Sequence, residues 1–392
     1  MRDGIEPRDR YSFIDDELKR RESACQFRRL KPLVPTGGVT VDADGREMVN
    51  FSSNDYLGLS KHPLLVERAA EYLHKYGAGA TASRLVCGSY DCFHRVEEKL
   101  AAFKGTERAL VLNSGFQANV SLLPVLADRN TLIISDSLNH ASIIQGVLSS
   151  RCRVVKAPHN DITAMRKILE ENRGADHSGI LIVTESVFSM DGDIANIKAL
   201  SALASEFDAL LMVDEAHATG VFGPKGAGLC HGLPVDLVMG TFGKALGSFG
   251  AYAACSERMY HYLVNRCGGF IYSTALPPSV VGAVDAALDL VPEMEAERKN
   301  LADNAVFLRE SLNAIGFSTG ASQSQIVPVI IGNEAETLSL STHLSDNGVL
   351  AVAIRPPTVE RGKSRIRLSL SALHSHEMVE NLVSVFASWK RP

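Results

Sequence analysis

Residues 210–220 read LLMVDEAHATG, and residues 235–253 read VDLVMGTFGKALGSFGAYA. In each stretch a short apolar run leads straight into a chemically equipped turn. The first turn carries Asp214 with His217 three residues later; the second sets Lys244 among Gly240, Gly243, Gly247 and Gly250. The runs Ala209–Val213 and Leu237–Gly240 have the length and composition of buried strands. In an open α/β sheet, ligands bind beyond the carboxyl ends of the strands. Asp214 and Lys244 are therefore expected at a ligand site.

Working outward, helical stretches (64–76, 93–103, 116–126, 142–148, 162–171, 197–207) alternate with apolar runs (109–112, 132–135, 153–156, 179–184). This alternation predicts an α/β fold, a mostly parallel central sheet flanked by helices. Residues 11–31 carry a helical pattern ending at Pro32, and a hairpin is expected from 39–41 and 47–51 around DADG. A long helical pattern from Pro278 to about Ala314 leads into expected strands at 326–331, 350–353 and 364–369 and a closing helix at 375–389. We divide the chain into an N-terminal arm (1–50), a large domain (51–285) and a smaller C-terminal α/β domain (286–392).

The chain has 392 residues, 45% hydrophobic and 22% charged, with a net charge of −5. These values describe an ordinary globular protein and offer no basic face for nucleic acid. Cys25, Cys87, Cys92, Cys152, Cys230, Cys255 and Cys267 are scattered without a C-x-x-C, so neither a disulfide framework nor a zinc site is expected. The opening MRDGIEPRDR lacks a signal-peptide core, and no stretch has the roughly 18 apolar residues of a membrane span. A soluble, cytoplasmic protein without a metal site is expected.

Alone, Asp214 reads as an acid for a cofactor's ring nitrogen, a metal ligand, or a helix cap. Lys244 fails as a P-loop lysine: Val238 stands five positions before Gly243, and Ala245 replaces the magnesium-binding Ser/Thr. It reads as a Schiff-base lysine or as a surface lysine in a glycine loop. The pair says more than its members. Pyridoxal 5'-phosphate (PLP) needs a lysine, an acid for its ring nitrogen and donors for its phosphate. Ser114-Gly115-Phe116 offers a strand-to-helix turn with free N–H groups, and Thr241 a hydroxyl. His140 follows an expected strand and reads as a stacking partner for a ring or as a core histidine. The basic run Lys19-Arg20-Arg21, with Arg28-Arg29 and Lys31, reads as a solvated helix face, or as a docking surface for an acyl carrier protein or the phosphates of coenzyme A.

The motifs VDEAHATGVFG, GTFGKALGS, NSGFQAN, DSLNHAS, ESVFSMDGD and FSSNDYLGL together resemble those of the α-oxoamine synthases, in that family's order, across roughly 28–374. These are fold-type-I PLP-dependent transferases that condense an amino acid with an acyl thioester and release carbon dioxide. Ser53–Tyr56, Ile271–Pro278 and Ala353–Thr358 are similar to the branch that joins L-alanine to a pimeloyl thioester, on an acyl carrier protein or on coenzyme A, in biotin biosynthesis. A glycine-using branch is the alternative. One departure is Ala80-Thr-Ala-Ser83, where the family is glycine-rich. The resemblance implies Lys244 as Schiff-base lysine and general base, Asp214 on the ring nitrogen, His217 on the ring's phenolic oxygen and His140 stacked on the ring. It implies Gly115, Phe116, Ser189 and Thr241 around the cofactor, and Ser273 and Thr274 reaching the phosphate of a partner subunit in a homodimer with shared sites. Asn54 and Arg355 would hold the amino-acid carboxylate, and His140, Arg28 and Thr358 would contact substrate.

Overall fold

The computed structural model describes residues 9–174 and 177–391; most of the charged opening lies outside that range. Helix α1 (Ser12–Ser23) is followed by β1 (Val34–Pro35), β2 (Thr40–Ala43) and β3 (Arg46–Asn50). The central sheet is built from β4 (Arg108–Leu112), β5 (Thr131–Asp136), β6 (Arg153–Ala157), β7 (Gly179–Glu185), β8 (Leu210–Asp214), β9 (Leu237–Thr241) and β10 (Ala251–Cys255), in the order β4-β10-β9-β8-β7-β5-β6. Six strands run in one direction, and β10 alone runs against its two neighbours. GILIVTE and LLMVD are almost wholly buried, as strands covered on both faces must be.

Helices α2 (Pro63–Tyr76), α3 (Asp91–Lys104), α4 (Gly115–Leu126), α5 (Ala141–Ser150), α6 (Ile162–Glu171) and α7 (Ile197–Glu206) connect or cover these strands. Their starts follow local chemistry. Pro63 occupies the first position of α2, and Ser114, Asp161 and Asn196 cap the first turns of α4, α6 and α7 with side-chain oxygens. After α8 (Glu257–Arg266) and α9 (Gly268–Ile271) come α10 (Pro278–Leu290) and α11 (Glu295–Ala314). A 3-10 turn at Val291–Glu293 separates these two, where one long helix was expected. Pro292 is the reason, since it lacks the N–H that a continuous helix needs.

Downstream, β11 (Ile326–Gly332), β13 (Val352–Ile354) and β14 (Ser364–Ser369) form a three-stranded antiparallel sheet with α12 (Glu334–Asp346) and α13 (His376–Ser388) packed on it or near it. The remaining strand, β12 (Val349–Leu350), pairs in parallel with β3. The N-terminal hairpin is thus sewn to the C-terminal third. Two expectations differ from the structure. The helical pattern of 11–31 yields a helix only to Ser23, because Cys25 takes a left-handed conformation and the following chain is drawn into long-range contacts. Strand β10 was not anticipated, since AYAAC is short and alanine-rich; its place between two strands, not its propensity, makes it a strand.

Helices α4 and α5 pack closely because α5 carries Gly146. A Cβ there would lie 2.4 Å from the carbonyl oxygen of Asn119 and 2.8 Å from Leu123. Gly146→Ala is expected to push the helices apart and to cost about 1–3 kcal/mol, read as a lowered denaturation midpoint. An unchanged midpoint would show that the close approach is not needed.

Candidate active site

The carboxyl ends of β4, β5, β7, β8 and β9 deliver the polar residues to one edge of the sheet. Beyond β4, Ser114 Oγ accepts from Gln117 N–H at 3.3 Å and opens α4. The N–H groups of Gly115 and Phe116, in the first turn, have no helical acceptor. Thr241 Oγ1, at the end of β9, lies beside this turn: a Cβ on Gly115 would sit 3.7 Å from Thr241 Cβ. Thr241 also accepts from Gly243 N–H at 3.1 Å and donates to the Gly250 carbonyl at 2.7 Å, which shapes the lysine loop.

Asp214 is 5% exposed. Its Oδ2 accepts from Asn119 Nδ2 at 2.8 Å, and its Oδ1 from Ala216 N–H at 2.8 Å. Directly across the ladder stands Glu185, at the end of β7. Burial and the neighbouring Asp214 charge push the Glu185 carboxyl well above its usual range. Glu185 Oε1 accepts from the backbone N–H of His140 at 2.6 Å, which fixes the start of α5. His140 itself is exposed and caps that helix through Nδ1.

Lys244 Nζ lies 2.8 Å from His217 Nε2. His217 Nδ1 lies 2.6 Å from the Tyr56 hydroxyl, which donates to Asn54 Oδ1 at 3.1 Å. That oxygen also accepts from Arg367 Nη1 at 3.1 Å. Because Tyr56 spends its proton on Asn54, the consistent tautomer has His217 Nδ1 donating and Nε2 accepting from the lysine. Burial, and next the Lys244 charge, hold the His217 pKa well below its usual value, so the ring is neutral. Burial likewise lowers Lys244 to about 8, against the opposing pull of Asp214 and Glu185. Beneath this turn, Glu215 Oε2 accepts from the buried Lys104 ammonium at 2.6 Å.

Residues 46–386 match the family model for class I and II aminotransferases. This chain belongs to that family. Among curated relatives, a putative 8-amino-7-oxononanoate synthase of Desulfosudis oleivorans is 59% identical over 97% of this chain and 99% of its own length. The 8-amino-7-oxononanoate synthase of Geotalea daltonii is 48% identical over 95% and 96%. A solved structure of SPT, serine palmitoyltransferase, holding PLP as its internal aldimine, is similar with a TM-score of 0.92 at 28% identity, over 97% of this chain and 98% of that one.

Of the residues singled out from the sequence of this aminotransferase-family chain, Lys244, His217 and Asn54 stand in one hydrogen-bonded relay. Asp214 is tied to α4 through Asn119, and Thr241 and Gly115 face each other. Ser189 meets the relay through its carbonyl, which accepts from Arg367 Nε at 2.6 Å. Phe116 is 54% exposed beside Gly115. Ser273 Oγ accepts from Gln117 Nε2 at 2.5 Å, and the Thr274 carbonyl accepts from Asn113 at 2.7 Å.

Arg355, expected with Asn54 at the amino-acid carboxylate, donates to the Cys25 carbonyl, beside Arg28, which donates to Thr358 Oγ1 at 3.0 Å. Arg367 takes the place at Asn54, since β14 carries it there. Sequence reading missed Arg367, Tyr56, Asn119 and Glu185. Only Glu185 left a local signal, as an acid closing the apolar run GILIVTE much as Asp214 closes LLMVD.

A half-buried amine with a lowered pKa has a checkable consequence. Amine-selective labelling of Lys244 in the cofactor-free protein should rise with pH through a midpoint near 8, because the reactive neutral form gains population there. Peptide mass spectrometry reads the rate, and a midpoint above 10 would contradict the burial argument.

Proposed function

We propose that this chain binds PLP and catalyses decarboxylative condensation of L-alanine with a pimeloyl thioester, giving 8-amino-7-oxononanoate, carbon dioxide and free thiol. The observation that carries the reading is the relay Lys244–His217–Tyr56–Asn54–Arg367, which joins an amine of lowered pKa to a guanidinium at one edge of the sheet. The alanine and pimeloyl substrates rest on the name shared by full-length relatives at 48% and 59% identity. The glycine-using alternative finds no support in those names.

The residues fit the cofactor. Gly115 and Phe116 N–H groups with the Thr241 hydroxyl suit a phosphate at a helix N-terminus, Asp214 suits a protonated ring nitrogen, and the exposed His140 is free to stack. His217 and Ser189 complete the cofactor side. Bound PLP supplies an electron-withdrawing ring that stabilises negative charge at the amino acid's Cα. Asp214 would hold that ring's nitrogen in its protonated form. Lys244 would take the Cα proton, and a pKa near 8 suits a base working near neutrality. The neutral His217, fixed by Tyr56, holds that amine in place.

Asn54 and Arg367 orient the amino-acid carboxylate; such a charge-assisted contact contributes about 1.5–3 kcal/mol. Arg28 and Arg355 form no ion pair among the described residues. We assign them, with Thr358, to the anionic parts of the incoming substrates. The exposed Leu85, Val86, Phe116, Phe249 and Tyr272, several of them next to site residues, support a homodimer in which Ser273 and Thr274 reach the partner's phosphate site. Among the described residues no helix is long and apolar enough to cross a membrane, and we place the enzyme in the cytoplasm.

The test is to supply PLP-loaded protein with carboxyl-labelled L-alanine and pimeloyl-CoA or pimeloyl carrier protein. Labelled carbon dioxide and the nine-carbon amino keto acid are expected, with glycine a much poorer donor. Asp214→Asn should retain PLP and lower kcat by about 10²–10⁴. Faster turnover with glycine would move the activity to the sibling reaction.

A further inference from the structure

The loop after β7 is held from two sides, by arginines of β14 and by a histidine behind it. Residues 186–194 leave the sheet at Glu185, turn through Ser189, Met190, Asp191 and Gly192, and return, with Val187 and Ile194 forming a single bridge. The turn presents carbonyls to two arginines of β14. Ser189 O accepts from Arg367 at 2.6 Å and Met190 O from Arg365 at 3.1 Å, while Asp191 pairs with Arg365 at 2.6 Å. The placement of Arg367 therefore depends on where this loop sits.

Behind the loop lies His159, just past β6, with carboxylates on both sides. Its Nδ1 is 2.9 Å from Asp136 Oδ1, and its Nε2 is 2.8 Å from Asp193 Oδ2. Asp136 and Asp193 are buried, at 4% and 6% exposure. A carboxylate can only accept, so two ring nitrogens facing two carboxylates must both donate, and the ring is then an imidazolium. The arrangement of neighbours is consistent with that charge. Asn160 donates to both acids, through N–H to Asp136 at 2.9 Å and through Nδ2 to Asp193 at 2.5 Å, and the Phe188 ring meets the imidazole edge-on. No other cation pairs with either acid among the described residues. The two hydrogen-bonded acids raise the His159 pKa to about 10, against the opposing effect of burial.

Asp193 is the residue through which the clamp reaches the loop. Its carbonyl accepts from Phe188 N–H at 3.0 Å, and Gly192 N–H donates to Phe188 O at 2.9 Å, so the turn is closed on itself. It is also wedged against β11: a Cβ on Gly192, whose φ is +69°, would lie 2.0 Å from the Ile326 carbonyl oxygen. Gln323 N–H donates to Gly192 O at 2.9 Å.

We propose that His159 is a positioning residue: as a permanent cation it clamps Asp136 to Asp193, fixes the 186–194 turn against β14, and so sets Arg367 for the amino-acid carboxylate. The last step rests on the function proposed above; the clamp itself does not. Removing the ring's charge leaves two buried carboxylates facing each other without a counter-ion, and their repulsion opens the turn.

His159→Gln tests this, with His159→Gln/Asp193→Asn as its partner because the double variant removes the stranded charge. Hydrogen exchange of the Phe188 and Gly192 amides, which needs neither cofactor nor substrate, should be at least ten-fold faster in the single variant and return toward wild type in the double. In PLP-loaded protein, the absorbance-monitored affinity for L-alanine should fall at least ten-fold in the single variant, while PLP affinity and the KM for the thioester change little. Unchanged exchange in the single variant overturns the clamp. Faster exchange with unchanged alanine affinity overturns the positioning role. If wild-type protein does not respond to alanine, the functional reading fails, and the exchange data still decide the clamp.

Discussion

Everything at this site depends on one electrostatic constraint: ionisable groups are gathered where a buried sheet ends, and Asp214, Glu185 and His217 are buried there beside a half-buried Lys244. Desolvation disfavours charge on Lys244, His217 and Glu185 alike, while the Asp214 carboxylate, hydrogen-bonded by Asn119 and Ala216, sits among them. The outcome is an amine near its own midpoint at neutral pH, leaning on an uncharged imidazole. A lysine on the surface would instead stay fully charged at that pH. The sheet supplies the burial, and the helices that follow its strands supply the donors.

The relay explains why the chain's two ends are bound together. Asn54 follows β3, whereas Arg367 belongs to β14, and their contact spans 313 positions. The pairing of β12 with β3, and the bonds from Ser369 N–H to Phe51 O and from Ala372 N–H to Tyr56 O, hold those ends in register. The Arg28–Thr358 and Arg355–Cys25 contacts extend the same seam. The amino-acid side of the site is therefore assembled only after distant segments meet.

That history governs what could be read from the sequence. The parallel strands were legible because each is a short branched apolar run between helices, and Asp214, His217 and Lys244 were legible because they sit directly after such runs. Arg367 was not, since an arginine in SRIRLS says nothing about a partner 313 positions away. Arg355, next to Pro356-Pro357, was conspicuous in the sequence, but its contact with the Cys25 carbonyl, 330 positions away, was not. Tyr56 and Asn119 look like ordinary helix or loop residues until their hydroxyl and amide meet His217 and Asp214. The alanine-rich β10 shows the same limit at the level of the fold.

The account stands on Lys244 as the residue that joins the cofactor covalently, and borohydride reduction of PLP-loaded protein tests this most directly. Proteolysis and mass spectrometry should find a pyridoxyl group on the peptide containing Lys244, and on no other lysine. A pyridoxyl group on a different lysine, or none on a protein that has bound PLP, would contradict it.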